Sequence, residues 1–510
     1  TNGSGVTVHD GKKSYLHLAQ NGIILENITI DVTLAQHLLE GSDSSEPLSE
    51  ILSKYTNIFF PPEVEREGQL NFDSEGDQLH DAVVNAKAIA KLHEPLNEAL
   101  KSQGLHHLNK DVEVPLVRVL AEMETRGIGV DIAELKRLRD EFTNQCEGLR
   151  TEIHNLAGEE FNVNSTKQLR EILFEKLALT PGKKTKTGFS TNAATLEKIK
   201  DSHPIIDKLL SYREVEKLRS TYGEGLLSCV DDDNRIRATF HQTVTRTGRL
   251  SSDAPNLHNI PVRTEAGKSF RKAFIPASKH SLLVADYNQI ELRCIAHLAD
   301  EKELKTAFND GQDIHTAVAS RTWGIKPEEI DSSLRSRAKM VSYGLAYGME
   351  AYGLAQRLDI PVDEASEILR AFFEAFPGIK EYMNESIEKA RKKGYTETLL
   401  GRRRKIPELL SNNFNVRQAG ERQAMNAPIQ GLAADIFKIA LLSIDQELQK
   451  KSYKSALVLQ VHDEVILETA TEEIEAVKKM VQKKMENAYE LSVELKVDIA
   501  TGKSWAEAKG

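Results

Sequence analysis

Leu282, Leu283 and Val284 form a short apolar run that breaks on Asp286, the pattern of a buried strand delivering a side chain at its end. Ile290, Leu292 and Arg293 lead into a helical pattern from Cys294 to Asp300, which sets Glu291 at the start of the segment after the strand. Two more strand-like runs, Ala456 to Val461 and Glu464 to Glu468, have only His462 and Asp463 between them. That spacing predicts a tight hairpin with Asp463 exposed at its turn, although His-Asp is not the usual Asn-Gly signal.

Elsewhere the periodicity is mostly helical. Residues 1 to about 108 mix a strand-like run (Gly22 to Ile30) with helical ones (Thr33 to Leu39, Leu48 to Lys54, Ala82 to Leu100), after a flexible end at Thr1 to Gly5. Pro115 to Arg126 has apolar residues at helical spacing and stops on Gly127, a C-cap signal. Ile132 to Leu156 and Asp201 to Leu227 predict two long helices. The polar, broken segment Phe161 to Asn192 between them carries Pro181, Gly182, Lys183, Lys184 and Lys186 as a basic tip. Such a projecting arm could grip a polyanion; the plainer reading is a helical hairpin. From Arg235 to Pro276 the pattern turns to strands and loops, and helices dominate from Cys294 to about Ala390.

With 510 residues, 40% apolar and 28% charged, the chain has the composition of an ordinary globular protein of several domains. We find no apolar run of about 18 residues and no signal-peptide pattern, which predicts no membrane association. Cys146, Cys229 and Cys294 are isolated and odd in number, which fits a reducing compartment and excludes a thiolate zinc cluster. The net charge of -10 argues against a purely electrostatic nucleic-acid binder. It leaves room for a local basic groove, to which Arg391 to Lys393 and Arg402 to Lys405 could contribute.

Three stretches carry candidate chemistry. An Asp at a strand end is more often a cap than a ligand, but Asp286 and Asp463 together suit a hard cation such as magnesium, which prefers oxygen ligands and substrate phosphates. Thr243 to Ser252 gathers hydroxyls around Arg246, Gly248 and Arg249, a mixture suited to sugar-phosphate and groove contacts or to a plain surface loop. Within 334–348, Arg335, Lys339, Tyr343 and Tyr347 recur every four residues on one helical stripe. Cations followed by rings suit a nucleotide, while a solvated basic stripe over core tyrosines would show the same spacing.

DYNQIELR at 286–293, RSRAKMVSYGLAYG at 335–348 and QVHDEV at 460–465 resemble motifs A, B and C of the family A DNA polymerases, in order and in spacing. TRTGRLSS at 245–252, TLLGRRR at 398–404 and ERQAMNAPIQG at 421–431 extend the resemblance, which runs strongly from about Val112 to Trp505 and is closest to the large fragment of bacterial members. It implies an α+β multidomain, right-hand polymerase, with 109–510 as the polymerase domain. The thumb would be about 130–235, the palm about 236–299 and 421–510, and the fingers about 300–420. The implied reaction is template-directed addition of dNTPs to a primer 3′-OH, in repair and replication gap filling, by a monomer that binds primer–template DNA.

The resemblance further implies two magnesium ions (manganese substituting) about 3.5–4 Å apart, held by Asp286, Asp463 and the backbone carbonyl of Tyr287. Glu464 would be an auxiliary carboxylate. Arg335, Lys339 and His315 would hold the triphosphate, with Lys339 as proton donor to pyrophosphate. Tyr343 and Gln289 would line the nucleotide site, and Glu291 would exclude a ribose 2′-OH. Arg249, Tyr347, Arg422, Asn426, Gln430 and His462 would contact the primer–template, chiefly through the nearly sequence-independent minor-groove acceptors.

Residues 1–108 resemble, weakly, a truncated or vestigial 3′–5′ exonuclease domain. Ser14 and Asn85 stand where active members carry metal-binding Asp, with Asp10 and Asp81 one turn away, so no proofreading is expected. Three alternatives compete: a catalytically silent primer–template binder, opposed by the presence of both Asp286 and Asp463; an RNA-synthesising relative, opposed by Glu291; and a working nuclease, opposed by Ser14 and Asn85.

Overall fold

Strand His280–Tyr287 is flanked in a four-stranded sheet ordered Ala456–Val461, Glu464–Ala470, His280–Tyr287, Val497–Gly502. The computed structural model describes residues 5–41, 46–60, 74–180, 184–185, 188–261, 264–346 and 348–509, side chains at 74–80, 184, 185 and 346 excepted. Leu283, Val284 and Ala285 are successive yet all buried. A strand apolar on both faces needs cover on both. Helices Val114–Arg126, Phe414–Lys450 and Ile474–Glu486 pack on the sheet's strands.

The expected hairpin forms with a two-residue loop: Val461 pairs with Glu464 and Gln460 with Val465. His462 has φ 54°, the left-handed conformation that a tight turn needs and that His tolerates better than most residues. Gln460 Nε2 donates to the His462 carbonyl at 2.6 Å, which ties the turn to its own strand.

Two compact units divide the chain. The first comprises residues 1–126, 239–252 and 283–500. Beyond the sheet it contains helices Val32–Glu40, Leu48–Thr56 and Ser74–Ser102 near the start, and Ile290–Leu298 through Pro377–Lys393 after the central strand. The second comprises residues 127–238, 253–282 and 501–510, so 253–282, expected with the palm, is packed with the arm. Its helix Ile132–Ala157 lies against a second helical stretch, Ile205–Lys217, that continues to Leu227. Ile153, Leu169, Leu173, Leu196, Ile205 and Leu209 form the core between them. Gly127 follows Val114–Arg126 at φ 61°, as its C-cap role requires. Of the basic tip, residues 181–183, 186 and 187 lie outside the described residues.

Three expectations are corrected. The strand expected over Gly22 to Ile30 is only Ile28–Asp31. A helix, Glu265–Lys272, occupies part of the stretch expected to be strands and loops; Thr264 caps it by accepting from the Gly267 N–H at 3.1 Å. Helix Phe414–Lys450 does contain an 18-residue window with mean hydropathy 1.4, long and apolar enough to cross a membrane. That window is 83% buried inside the protein, the signature of a central core helix.

Candidate functional site

The two carboxylates predicted to work together are brought together by the backbone. The Tyr287 N–H donates to the Asp463 carbonyl at 3.2 Å, so the end of the central strand is joined to the hairpin turn. Asp286 and Asp463 are both half-buried; the turn does not leave Asp463 fully exposed. The adjacent side chains secure the frame. Tyr287 is buried and its hydroxyl donates to the Met485 carbonyl at 2.7 Å, and burial pushes its phenol well above the usual range. Glu464 is 3% exposed, so it is set back from the surface that Asp463 shares.

Carboxylates at the ends of adjacent strands are hard oxygen donors, which fits magnesium. Among the described residues no group of three or more His, Cys, Asp or Glu forms a complete metal cage. A bound magnesium would therefore complete its shell from backbone carbonyl, water and substrate oxygens, the usual magnesium arrangement. Buried Cys294 has its thiol raised well above the ordinary range by burial, with Glu291, Asp463 and Asp435 adding to the shift, so it is no nucleophile.

Helix Ile290–Leu298 starts four residues after Asp286 and packs against helix Ser332–Ala346. Gln289 precedes it in the left-handed conformation, φ 56°. Arg335 and Lys339 are exposed on the second helix and Tyr343 is half-buried, so the predicted stripe exists; Tyr347 lies outside the described residues. His315, on the neighbouring helix Ile314–Trp323, meets the Tyr343 ring with centroids 5.8 Å apart. Burial pushes the His315 imidazole down to about 4; Asp313 opposes the shift, and Lys339 and Arg335 add to it. Sequence reasoning missed Asp313. It caps His315's helix through the Thr316 N–H and receives Arg335 in a two-pronged pair, 2.6 and 3.0 Å. Its position two residues before His315 was the only available signal.

The groove-contact candidates are also ordered. Arg422, Asn426 and Gln430 fall at successive i+4 positions of Phe414–Lys450, all half-buried. Gly348, at φ 66°, lets the chain cross close to that helix: a Cβ there would sit 3.1 Å from Arg422 Cβ and Met425 Cε. Glu350 then receives Gln418 at 2.7 Å and lies 3.5 Å from Arg422. His462 is exposed at its turn. Arg249 Nη2 donates to Glu291 Oε1 at 2.6 Å, a pairing that joins two residues predicted separately.

The basic run 402–405 is not a phosphate groove. Arg402 is 4% exposed and paired with Glu113 and Asp435, Arg403 contacts Gln103 and Glu397, and Lys405 pairs with Glu40. In the N-terminal part, Ser14 Oγ donates to the Asp10 carbonyl at 3.1 Å, Asp10 caps helix Gly11–Gln20 and Asp81 and Asn85 are exposed.

Comparison with known proteins agrees with this architecture. The sequence profile of DNA polymerase family A matches residues 132–507. DNA polymerase I of Bacillus subtilis (strain 168) is 43% identical over 507 residues, covering 98% of this chain and 58% of that protein. DNA polymerase I of Mycobacterium tuberculosis (strain ATCC 25618 / H37Rv) is 41% identical over 508 residues, covering 98% of this chain and 56% of that protein. The chain thus spans little more than half the length of these curated relatives. Among solved structures, the POL domain of Pol1 from M. smegmatis, in complex with DNA primer-template and dNTP, superposes with a TM-score of 0.93 at 40% identity, covering 100% of this chain and 87% of that one. With its strand-end carboxylates, cationic helix face and this extent of similarity, the chain belongs to DNA polymerase family A.

Proposed function

We propose that this chain is a template-directed DNA polymerase that adds deoxynucleotides to a primer 3′-OH and releases pyrophosphate. The observation that carries the reading is the hydrogen bond from the Tyr287 N–H to the Asp463 carbonyl, which joins the end of the strand carrying Asp286 to the hairpin turn carrying Asp463. Asp286, Asp463 and the Tyr287 carbonyl would hold two magnesium ions, with manganese able to substitute. The bound ions would supply activation of the 3′-OH and neutralisation of charge on the departing phosphates.

The chain's own residues would orient the reactants. Arg335, Lys339 and His315 would hold the triphosphate, and Lys339 would deliver a proton to the leaving pyrophosphate. Tyr343 and Gln289 would border the sugar, while Glu291 would fill the space of a 2′-OH. Arg249, Tyr347, Arg422, Asn426, Gln430 and His462 would contact primer and template. Glu464, being buried, would act through its charge. Residues 1–108 would serve as an exonuclease-like scaffold without proofreading, residues 109–510 as the polymerase domain, and the protein would work as a cytoplasmic monomer in repair and gap filling.

The test is extension of a labelled primer on a defined template with magnesium and dNTPs. Template-dependent lengthening is expected with dNTPs and little with rNTPs. No extension by folded protein would overturn the reading.

A further inference from the structure

Four charged side chains in the first compact unit are buried together. Glu113, Arg402, Asp435 and Lys438 are 2, 4, 0 and 1% exposed. Glu113 Oε1 accepts from Lys438 Nζ at 2.7 Å and from Arg402 Nη2; Arg402 Nε donates to Asp435 Oδ1 at 2.7 Å. Thr398 Oγ1 completes Asp435 at 2.8 Å. The charges sum to zero, and they come from three separate places: the start of a core helix, the 398–402 turn and the long helix Phe414–Lys450. Burial pulls the Lys438 ammonium down to about 8, with Glu113 opposing. Burial alone would raise the Glu113 carboxyl, yet Lys438 and Arg402 hold it below the usual carboxylate range.

A buried ionic cluster is weak evidence of stability, because apolar residues of the same volume would do as well or better. What distinguishes this one is what rests on it. Gln242 Nε2 donates to Glu113 Oε2 at 2.6 Å and to the Glu113 carbonyl at 3.0 Å, which anchors the strand entering the 245–252 loop. Mid-loop, Gly248 has φ 80°, and a Cβ there would collide with Arg402 Nε, Cδ and Cζ. Across the loop, Thr245 Oγ1 donates to the Arg249 carbonyl at 2.5 Å and Arg249 reaches Glu291. On the long helix, Gly431 follows Gln430; its missing Cβ would lie 2.5 Å from Thr398 Cγ2 and 3.5 Å from the Thr247 carbonyl. The cluster thus touches the supports of Arg249 on one side and of Gln430 on the other.

We propose that Glu113, Arg402, Asp435 and Lys438 are positioning residues for the primer terminus: together they set the 245–252 loop against the long helix, and so the aim of Arg249 and Gln430. The inference rests on the polymerase reading above and deepens it. Arg402, bonded to Glu113 and Asp435, and Gln242, bonded twice to Glu113, fix a spacing that apolar packing would let slide, because hydrogen-bonded charges have few alternative low-energy arrangements inside a protein.

The test measures steady-state extension with primer–template varied, then dNTP varied, on matched and 3′-mismatched primers. Arg402→Met/Asp435→Asn removes one charge of each sign and leaves the Glu113–Lys438 pair. Gly248→Ala leaves all four charges and lifts the loop from Arg402. Arg249→Ala is the reference. A displacement of about 1 Å at a positioned group costs on the order of a hundredfold, so both variants should lose roughly ten- to a hundredfold in kcat/KM for primer–template. The loss should be in KM for DNA and in discrimination against the mismatch, with KM for dNTP held. If Arg249→Ala leaves these parameters flat, Arg249 does not contact the primer, and the polymerase reading of that residue and this inference both fail. If Arg249→Ala responds while folded Arg402→Met/Asp435→Asn matches wild type, the positioning role alone is overturned. Should the double variant not fold, Gly248→Ala decides: wild-type kinetics overturn the proposal, and the DNA-specific loss supports it.

Discussion

Arg249 and Glu291 form an ion pair, Nη2 to Oε1 at 2.6 Å, with the carboxylate side chain 6% exposed and the guanidinium 30%. Under the proposed function one partner touches the primer terminus and the other guards the sugar of the incoming nucleotide. The pair therefore makes sugar selection and primer contact parts of one unit. Glu291→Ala should admit ribonucleotides by at least about tenfold, equivalent to about 1.4 kcal/mol, and should also raise the KM for primer–template, because Arg249 loses the carboxylate that orients it. Single-nucleotide insertion of matched rNTP and dNTP, with DNA titrated, measures both. Unchanged sugar discrimination would remove Glu291 from the gate.

Asp286→Asn and Asp463→Asn should each reduce extension by about 10²–10³ or more, since each removes a charge that acts on developing charge. Primer–template affinity should stay close to wild type. The Tyr287–Asp463 link is made by the backbone and survives both substitutions. Single-turnover rates and a gel-shift titration check the two halves; near-normal rates in either variant would remove the two-metal assignment.

His315 gives a pH signature. Its folded pKa of about 4 lies below the ordinary value of 6.5, chiefly through burial, so at neutral pH the ring is uncharged. A triphosphate beside it would favour the imidazolium and raise that pKa. Binding should then take up a proton, and dNTP affinity should strengthen as pH falls from about 7 toward 5.5. For folding the sign is opposite. The unfolded ring binds the proton first, so His315 lowers stability progressively as pH falls from its unfolded value of about 6.5 toward the folded value. His315→Gln should flatten the pH dependence of dNTP affinity; an unchanged slope would place the titrating group elsewhere.

Under the proposed function, Tyr343 should let the protein accept dideoxynucleotides. Its ring packs near that of His315, centroids 5.8 Å apart, and its hydroxyl is the group that would supply the polar contact that a missing sugar 3′-OH leaves unmade. A hydrogen bond worth about 0.5–1.5 kcal/mol, or about 1.5–3 to a charged group, corresponds to around ten- to a hundredfold. Tyr343→Phe should keep dNTP insertion and lose ddNTP insertion by that factor. Equal ddNTP/dNTP ratios in both proteins would show that the hydroxyl does not set sugar selectivity.

Proofreading should be absent. Ser14 Oγ donates to the backbone carbonyl of Asp10, Asp10 is occupied as a helix cap, and Asn85 and Asp81 are exposed on a different helix. Metal-assisted hydrolysis needs clustered carboxylates. A labelled mismatched primer incubated with magnesium and no dNTPs should keep its length; shortening that Asp10→Ala abolishes would show a live nuclease.

The elements that carry the chemistry were legible in the sequence because each is fixed by local pattern. An apolar run stopping on Asp286, two strand-like runs separated by His462-Asp463, and an i+4 stripe through Arg335, Lys339 and Tyr343 state their own geometry through the periods of strand and helix. The resemblance to the family then supplied the roles proposed for those positions. Local pattern was weakest where structure depends on distant residues. Glu265–Lys272 reads as loop because its short, charged sequence becomes helical only with the Thr264 cap and the packing of Phe270. The 18-residue apolar window of Phe414–Lys450, not expected from the sequence, is a core feature because the fold encloses 83% of it. The roles of Arg402, Asp313 and Glu113 were invisible for the same reason. A charged residue reads as surface in sequence, and only tertiary structure, by bringing an opposite charge from up to hundreds of residues away, decides what it holds in place and, for Arg402 and Glu113, that it is buried.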